Sequence, residues 1–186
     1  MANTCSTNYI CVGDPKEVGE LHNLLKANGN STICSMLESM GVDLDELGKK
    51  GLRCRGEIIY FDYDGDRILS IDQDTAWCEQ EGFRKSIEAK FPSIKVFFRE
   101  EEPGCDVYYT NDSTGEYYPE RFLLDGDNVY EYFTNAKEVT DYLLDKFGIT
   151  ANGETEEEIQ EAIDEYVEEQ GEDFWMNIHE FKYVED

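Results

Sequence analysis

The sequence predicts an α+β protein, and three observations carry that prediction. Short β-like apolar runs bounded by Gly, Pro, Asn and Asp are interleaved with segments whose apolar residues recur at helical spacing. Hydrophobic residues make up 40% of the chain, with 12 Tyr and 10 Phe, too much large apolar surface for an acidic chain to stay unfolded. At 186 residues there is room for one domain with a substantial core, or for a domain plus an appendage. No apolar run approaches the length of a membrane span.

Asn8 to Val12 is a short β-like run closed by Gly13-Asp14-Pro15, and Pro15 suits the first turn of a helix. Val18, Leu21, Leu24 and Leu25 then keep helical spacing up to Asn28-Gly29-Asn30. Ile33, Met36, Leu37 and Met40 form a second apolar face after a capping Ser31, and Asp43 caps a short turn with Leu44 and Leu47. From Gly56 the period changes: Ile58 to Phe61, Asp64-Gly65, then Ile68, Leu69 and Ile71 read as a hairpin. Phe83, Ile87 and Phe91 mark a helix ending at Pro92, and Ile94 to Phe98 resume a strand. The resulting β-α-β-β-α-β order, interrupted by a helical insertion at about 31–50, is the ferredoxin-like split βαβ arrangement, two helices on one face of an antiparallel sheet.

Val107 to Thr110, Tyr117 to Leu124 and Asn128 to Phe133 are expected to extend that sheet as a meander over about 105–133, completing a first domain at 1–133. Residues 134–186 are expected to form a helical acidic extension. Val139, Tyr142, Leu143 and Phe147 line one helix, Ile159, Ala162, Ile163, Tyr166 and Val167 a second, and Phe174 to Val184 make a strand or an extended tail. Asn152-Gly153 is the expected hinge between sheet and appendage.

The formal charge is −27, and residues 151–186 supply 14 acids against one base, nearly half of that excess. Such a field repels nucleic acid and anionic lipid and attracts basic surfaces or cations. With Ile159, Ile163, Tyr166 and Val167 turned inward, Glu156, Glu157, Glu158, Glu161, Asp164, Glu165, Glu168 and Glu169 face solvent, continued by Glu172 and Asp173. The helix then presents roughly one charge every 2–3 Å, close to the density of duplex DNA at about one per 1.7 Å. A phosphate-binding protein meets there a familiar row of anions. The plainer reading is a solvated face that keeps the protein in solution.

The six cysteines are scattered, without C-x-x-C spacing or a nearby histidine pair, and no basic and apolar leader precedes them. They are read as reduced thiols of a cytoplasmic protein, without a metal site or other cofactor. Asp62-Tyr63-Asp64-Gly65-Asp66 fails the EF-hand pattern at Arg67 and Gln73 and reads as a β-turn. Glu100-Glu101-Glu102 and Glu79/Glu81 come with no nucleophile, histidine or ligand set, so catalysis is not expected. Trp77 and Cys78 lie at a strand-to-helix junction beside Thr75. There Trp77 is expected to anchor the following helix on the sheet, and a ligand pocket at Thr75, Trp77 and Cys78 is the rival reading. Tyr108-Tyr109 and Tyr117-Tyr118 have acidic neighbours, which argues against direct nucleic-acid binding and for a protein interface, a partner's or a homodimer's.

Several local signatures resemble a known family. Met1-Ala2-Asn3-Thr4-Cys5-Ser6 leading to Gly13-Asp14, then Asp74-Thr75-Ala76-Trp77, Phe91-Pro92 and Glu101-Glu102-Pro103-Gly104, are similar to the YubB-like proteins with a ferredoxin-like domain, over roughly residues 1–125. The resemblance implies that fold without iron–sulfur chemistry, a setting in plasmids, phages and integrated elements of bacteria, and no catalytic residues. From sequence, then, the expectation is a non-enzymatic acidic protein that blocks a basic nucleic-acid-binding protein by mimicry. The alternative is a small-ligand-binding or self-associating accessory protein.

Overall fold

The computed structural model describes residues 3–29, 31–52, 54–171 and 174–185. The chain divides into two compact units, one ending at Asn111 and one running from Asp112 to Glu185. The division falls well before the expected boundary at 133/134.

In the first unit, β1 (Thr4–Val12) leads into α1 (Pro15–Asn28), α2 (Ile33–Ser39) and α3 (Leu44–Lys49), followed by the hairpin β2 (Gly56–Tyr63) and β3 (Ile68–Ala76). Helix α4 (Glu81–Lys90), β4 (Lys95–Glu102), a 3-10 turn and β5 (Val107–Thr110) complete it. Asp14 caps α1 by accepting from the Lys16 amide at 2.9 Å, with Pro15 at the first helical position, where its missing N–H removes a donor that has no partner anyway. The cap of α2 is Thr32, one residue later than expected, because Ser31 contributes its carbonyl to the Ile58 amide instead. Asp43 caps α3 as expected.

The strands run in the order β2-β3-β1-β4-β5, every neighbouring pair antiparallel. Period-2 alternation puts Tyr9, Cys11, Leu69, Ile71, Val96 and Phe98 on the buried face, where Tyr9 meets Phe83 of α4 edge-on at 5.7 Å. The same face continues at its other end with Cys5, Thr7, Gln73, Thr75, Glu100 and Glu102, also buried. Register lines up Gln73, Thr7 and Glu100 across three strands. One end of this core is therefore apolar and the other polar.

The second unit is a three-stranded antiparallel sheet in the order β7-β6-β8, from β6 (Phe122–Gly126), β7 (Val129–Phe133) and β8 (Met176–Glu180), with α5 (Ala136–Phe147) and α6 (Glu156–Gln170) and a two-residue β9 (Lys182–Tyr183). Phe122, Leu124, Val129, Phe133, Val139, Leu143, Ile159, Ile163, Met176 and Ile178 share its core. This corrects the expected meander: β5 extends the first sheet, but β6 and β7 build a second sheet with β8. The break is Asp112. Its carboxylate accepts from the amides of Thr114, Gly115, Tyr117 and Tyr118 and from the Thr114 hydroxyl, so 112–118 folds into a compact turn where a strand from Tyr117 was expected. The stretch 174–184, expected as a strand or a tail, contains β8. Asn152-Gly153 lies inside the second unit, and a Cβ on Gly153 would sit 2.3 Å from Cβ of Glu158, so this is a tight approach and not an interdomain hinge.

Candidate functional site

Helix α6 begins with a capping box: Thr155 Oγ1 accepts from the Glu158 amide at 3.3 Å, and Glu158 Oε2 accepts from the amides of Glu154 and Thr155. Ile159 and Ile163 are buried. Gln160 ties the helix to β8, donating to the Met176 carbonyl at 3.3 Å and accepting from the Ile178 amide at 2.8 Å. Tyr166 packs between Phe147 and Phe174 at 6.0 and 5.8 Å. These contacts fix which face turns outward.

On that face Glu157, Glu161, Asp164, Glu165, Glu168 and Glu169 are exposed. Two of the expected acids have local tasks: Glu158 closes the cap, and Glu156 is half-buried with Lys182 at 4.0 Å. Glu172 and Asp173 lie outside the described residues. Glu157, Glu161, Glu165 and Glu169 form one i,i+4 row, spaced by about 6 Å of helix rise, with Asp164 and Glu168 beside it. Like charges at this spacing destabilise a helix by roughly 0.2–0.5 kcal/mol per pair. The last turn holds no base, so Glu168 and Glu169 also oppose the helix dipole.

At the Thr75–Cys78 junction the polar groups are engaged with one another. Thr75 Oγ1 donates toward the carbonyls of Cys5 and Cys78, at 3.1 and 2.9 Å, and lies 3.2 Å from Thr7 Oγ1. Gln80 donates from its amide to Tyr9 Oη at 3.0 Å and from its side chain to the Cys78 carbonyl at 2.7 Å. Thr75 is the turn residue expected of it, but Trp77 is not the expected anchor. It stands at φ +75° with 45% of its surface exposed, and Tyr9 makes the ring contact to Phe83. A bulky residue at positive φ stores roughly 1–3 kcal/mol of strain. Backbone bonds on both sides hold it there, from Ala76 to Arg55 and from Trp77 to Asn3.

Sequence reasoning missed what this junction assembles. Glu79 and Arg84 form an ion pair at 2.7 Å with both side chains less than 10% exposed. Glu100 Oε2 accepts from the Glu79 amide and lies 3.6 Å from Cys5 Sγ. Burial pushes Glu79 up to about 7 against the pull of Arg84, raises Glu100, and lifts the Cys5 thiol to about 12. Both side-chain amide atoms of Gln73, 1% exposed, have no hydrogen-bond partner among the described residues. The alternation around β3 could have signalled a polar buried face, but Ser70-Ile71-Asp72-Gln73-Asp74-Thr75 is polar at nearly every position, so neither parity stands out.

Asp64 accepts from the amides of Asp66 and Ile68, which makes 62–66 the hairpin turn expected. Tyr108 and Tyr118 are buried, which removes them from the expected aromatic interface, and Tyr130 is the strongly exposed tyrosine of β7, its hydroxyl 3.3 Å from that of Tyr132. No described helix is long and apolar enough to cross a membrane.

Neither a scan against protein-family models nor a search of curated proteins finds a match. Among solved structures, one described as "Crystal Structure of an Unknown Protein from Galdieria sulphuraria" aligns with 97% of this chain and 99% of its own, at 10% identity and a TM-score of 0.26, a level that carries no inference. The protein is a mixed α/β chain with an anionic helical face.

Proposed function

We propose that this is a non-enzymatic cytoplasmic protein whose α6 binds a basic, nucleic-acid-handling protein and occupies the surface with which that partner holds phosphate. The observation that carries the reading is the uncompensated row Glu157, Glu161, Glu165 and Glu169 with Asp164 and Glu168, in a helix whose last turn has no base. A face kept only for hydration could mix signs and stabilise its helix with i,i+4 pairs; this one forgoes them. Long-range attraction would raise the on-rate, and an exposed aromatic such as Tyr130 would supply contact specificity. The β2-β3-β1-β4 order with helices against one face supports a ferredoxin-like reading of the first unit. That is also the fold implied by the resemblance to YubB-like proteins of mobile elements.

The test is a pull-down from nuclease-treated bacterial lysate, with identification of retained proteins. Support is one nucleic-acid-binding protein that is released by high salt, displaced by duplex DNA, and not retained by a Glu161→Lys/Glu165→Lys/Glu168→Lys variant. Retention of that protein by the variant as well removes α6 from the reading.

A further inference from the structure

In this strongly acidic chain, one groove of the first unit, about 630 Å³, is lined by three lysines, Lys50, Lys85 and Lys90. It lies between α3 and α4, and local chain geometry explains its apolar floor. Helices α2 and α3 both end in Schellman turns. Val42 donates to the Leu37 carbonyl and Gly41 to Glu38, then Leu52 donates to Leu47 and Gly51 to Gly48, with Gly41 and Gly51 at φ +82° and +77°. Such turns bring the residue after the glycine back over the helix, which places Val42 and Leu52 beside Leu47 and Met40, opposite Ala89 of α4. Val42, Leu47 and Leu52 are only half-buried, and α3 buries none of its residues fully.

The charges at this groove are unevenly engaged. Of its two carboxylates, Asp43 caps α3 through the amides of Asp45 and Glu46, and Glu46 is ion-paired with Lys49. Lys85 pairs with Glu81 at 2.7 Å. Lys90 spends one donor on the Met40 carbonyl at 2.8 Å and keeps two. Lys50, the C-cap of α3, has no side-chain partner among the described residues.

We propose that this groove is a binding site for a straight-chain carboxylate of the fatty-acid class, its alkyl chain along Val42, Leu47, Leu52 and Ala89 and its carboxylate held by Lys50 and Lys90. The volume lies within the range of small-molecule sites. A six-residue helix about 9 Å long is too short a wall for a protein interface of about 800 Å² per partner. An anionic bilayer is repelled by a chain of charge −27, whereas a single carboxylate within the Debye length of two lysines responds to the local field. This site is independent of the role given to α6.

Decanoate, titrated calorimetrically into the full chain with amide shifts recorded by NMR, should bind saturably at one site, with shifts confined to 40–52 and 85–90. Affinity should exceed that for 1-decanol, and fall about five- to tenfold in Lys50→Glu, whose side chain is exposed and has no partner among the described residues. A bulky Ala89→Trp on the exposed face of α4 should abolish binding with the circular dichroism unchanged. Equal affinity for 1-decanol, unchanged affinity in Lys50→Glu, or no saturable site overturns the proposal. Binding to phosphatidylglycerol vesicles as tight as to free decanoate overturns it in favour of a membrane surface.

Discussion

The backbone amide of Glu79 donates to Oε2 of Glu100, 21 residues further along the chain, while the carboxylate of Glu79 accepts from Nε of Arg84 at 2.7 Å. Two acids thus share one buried corner with the Arg84 cation, which lies 5.2 Å from the Phe98 ring centroid, beside the aromatic contacts of Tyr9 with Phe83 and Phe98.

This corner makes stability fall as pH rises. Glu79 has its folded value raised from 4.5 to about 7, so the native state holds the proton more tightly than the unfolded chain does. The protonated contribution is whole below about 4.5 and is lost as pH passes through about 7, on the order of 3 kcal/mol at most. Urea unfolding of wild type and Glu79→Gln between pH 5 and 8 should give a flatter slope in the variant. Identical slopes would assign the pH dependence to general repulsion among the acids.

Asp112 acts in the opposite direction. Burial alone would raise it, but the amides of Tyr118, Tyr117 and Thr114 overcome that and hold it below the ordinary value, so its contribution stands above the unfolded value of about 3.8 and disappears as pH falls through the folded one. Asp112→Ala should cost about 2–4 kcal/mol in urea unfolding at pH 7, because several amides lose an ionised acceptor. A loss under 1 kcal/mol would mean that water replaces it.

Glu168→Lys/Glu169→Lys should move stability and binding in opposite directions. Each introduced ammonium would stand four residues after an acid, Asp164 in one case and Glu165 in the other, and both would match the helix dipole better than the carboxylates they replace. Together these changes should stabilise α6 by about 0.5–1.5 kcal/mol, read as slower amide exchange near its end. Partner binding should weaken. Loss of both would indicate a structural task for these acids.

Gly153→Ala should disturb the start of α6. Its Cβ would overlap that of Glu158, so the capping box must shift or open, at about 1–3 kcal/mol. Exchange of the Glu158 and Ile159 amides reports it directly, and protection equal to wild type would show that the loop yields.

The order of elements up to β4 was legible because each is marked locally, by Asp14-Pro15, Asp43, Asp64-Gly65 and Pro92 and by the period of the residues between them. The second sheet was not legible, since Leu124 finds Ile178 across 54 positions that carry no mutual signal, and the turn that ends the meander depends on one side chain collecting backbone amides. The outward face of α6 followed from the spacing of Ile159, Ile163, Tyr166 and Val167. Trp77 misled because its bulk promised burial while its backbone, at positive φ, points it to solvent. The Glu79–Arg84–Glu100 corner needed tertiary contacts that no spacing announces.

Strand β1 sits between β3 and β4, and both partners follow it by more than fifty residues. At a synthesis rate of about 5–20 residues per second, a nascent Thr4–Val12 would wait roughly 3–13 s with both hydrogen-bonding edges unpaired before Ala76 completes β3, and roughly 4–18 s before Glu101 is made for its other edge. The middle of the finished sheet is thus, during translation, an open template for pairing with other chains. Residues 1–101 carry 18 acids against 12 bases, so most of the −27 is made only later, and the open strand depends on the early arrival of β3 more than on charge to escape other chains.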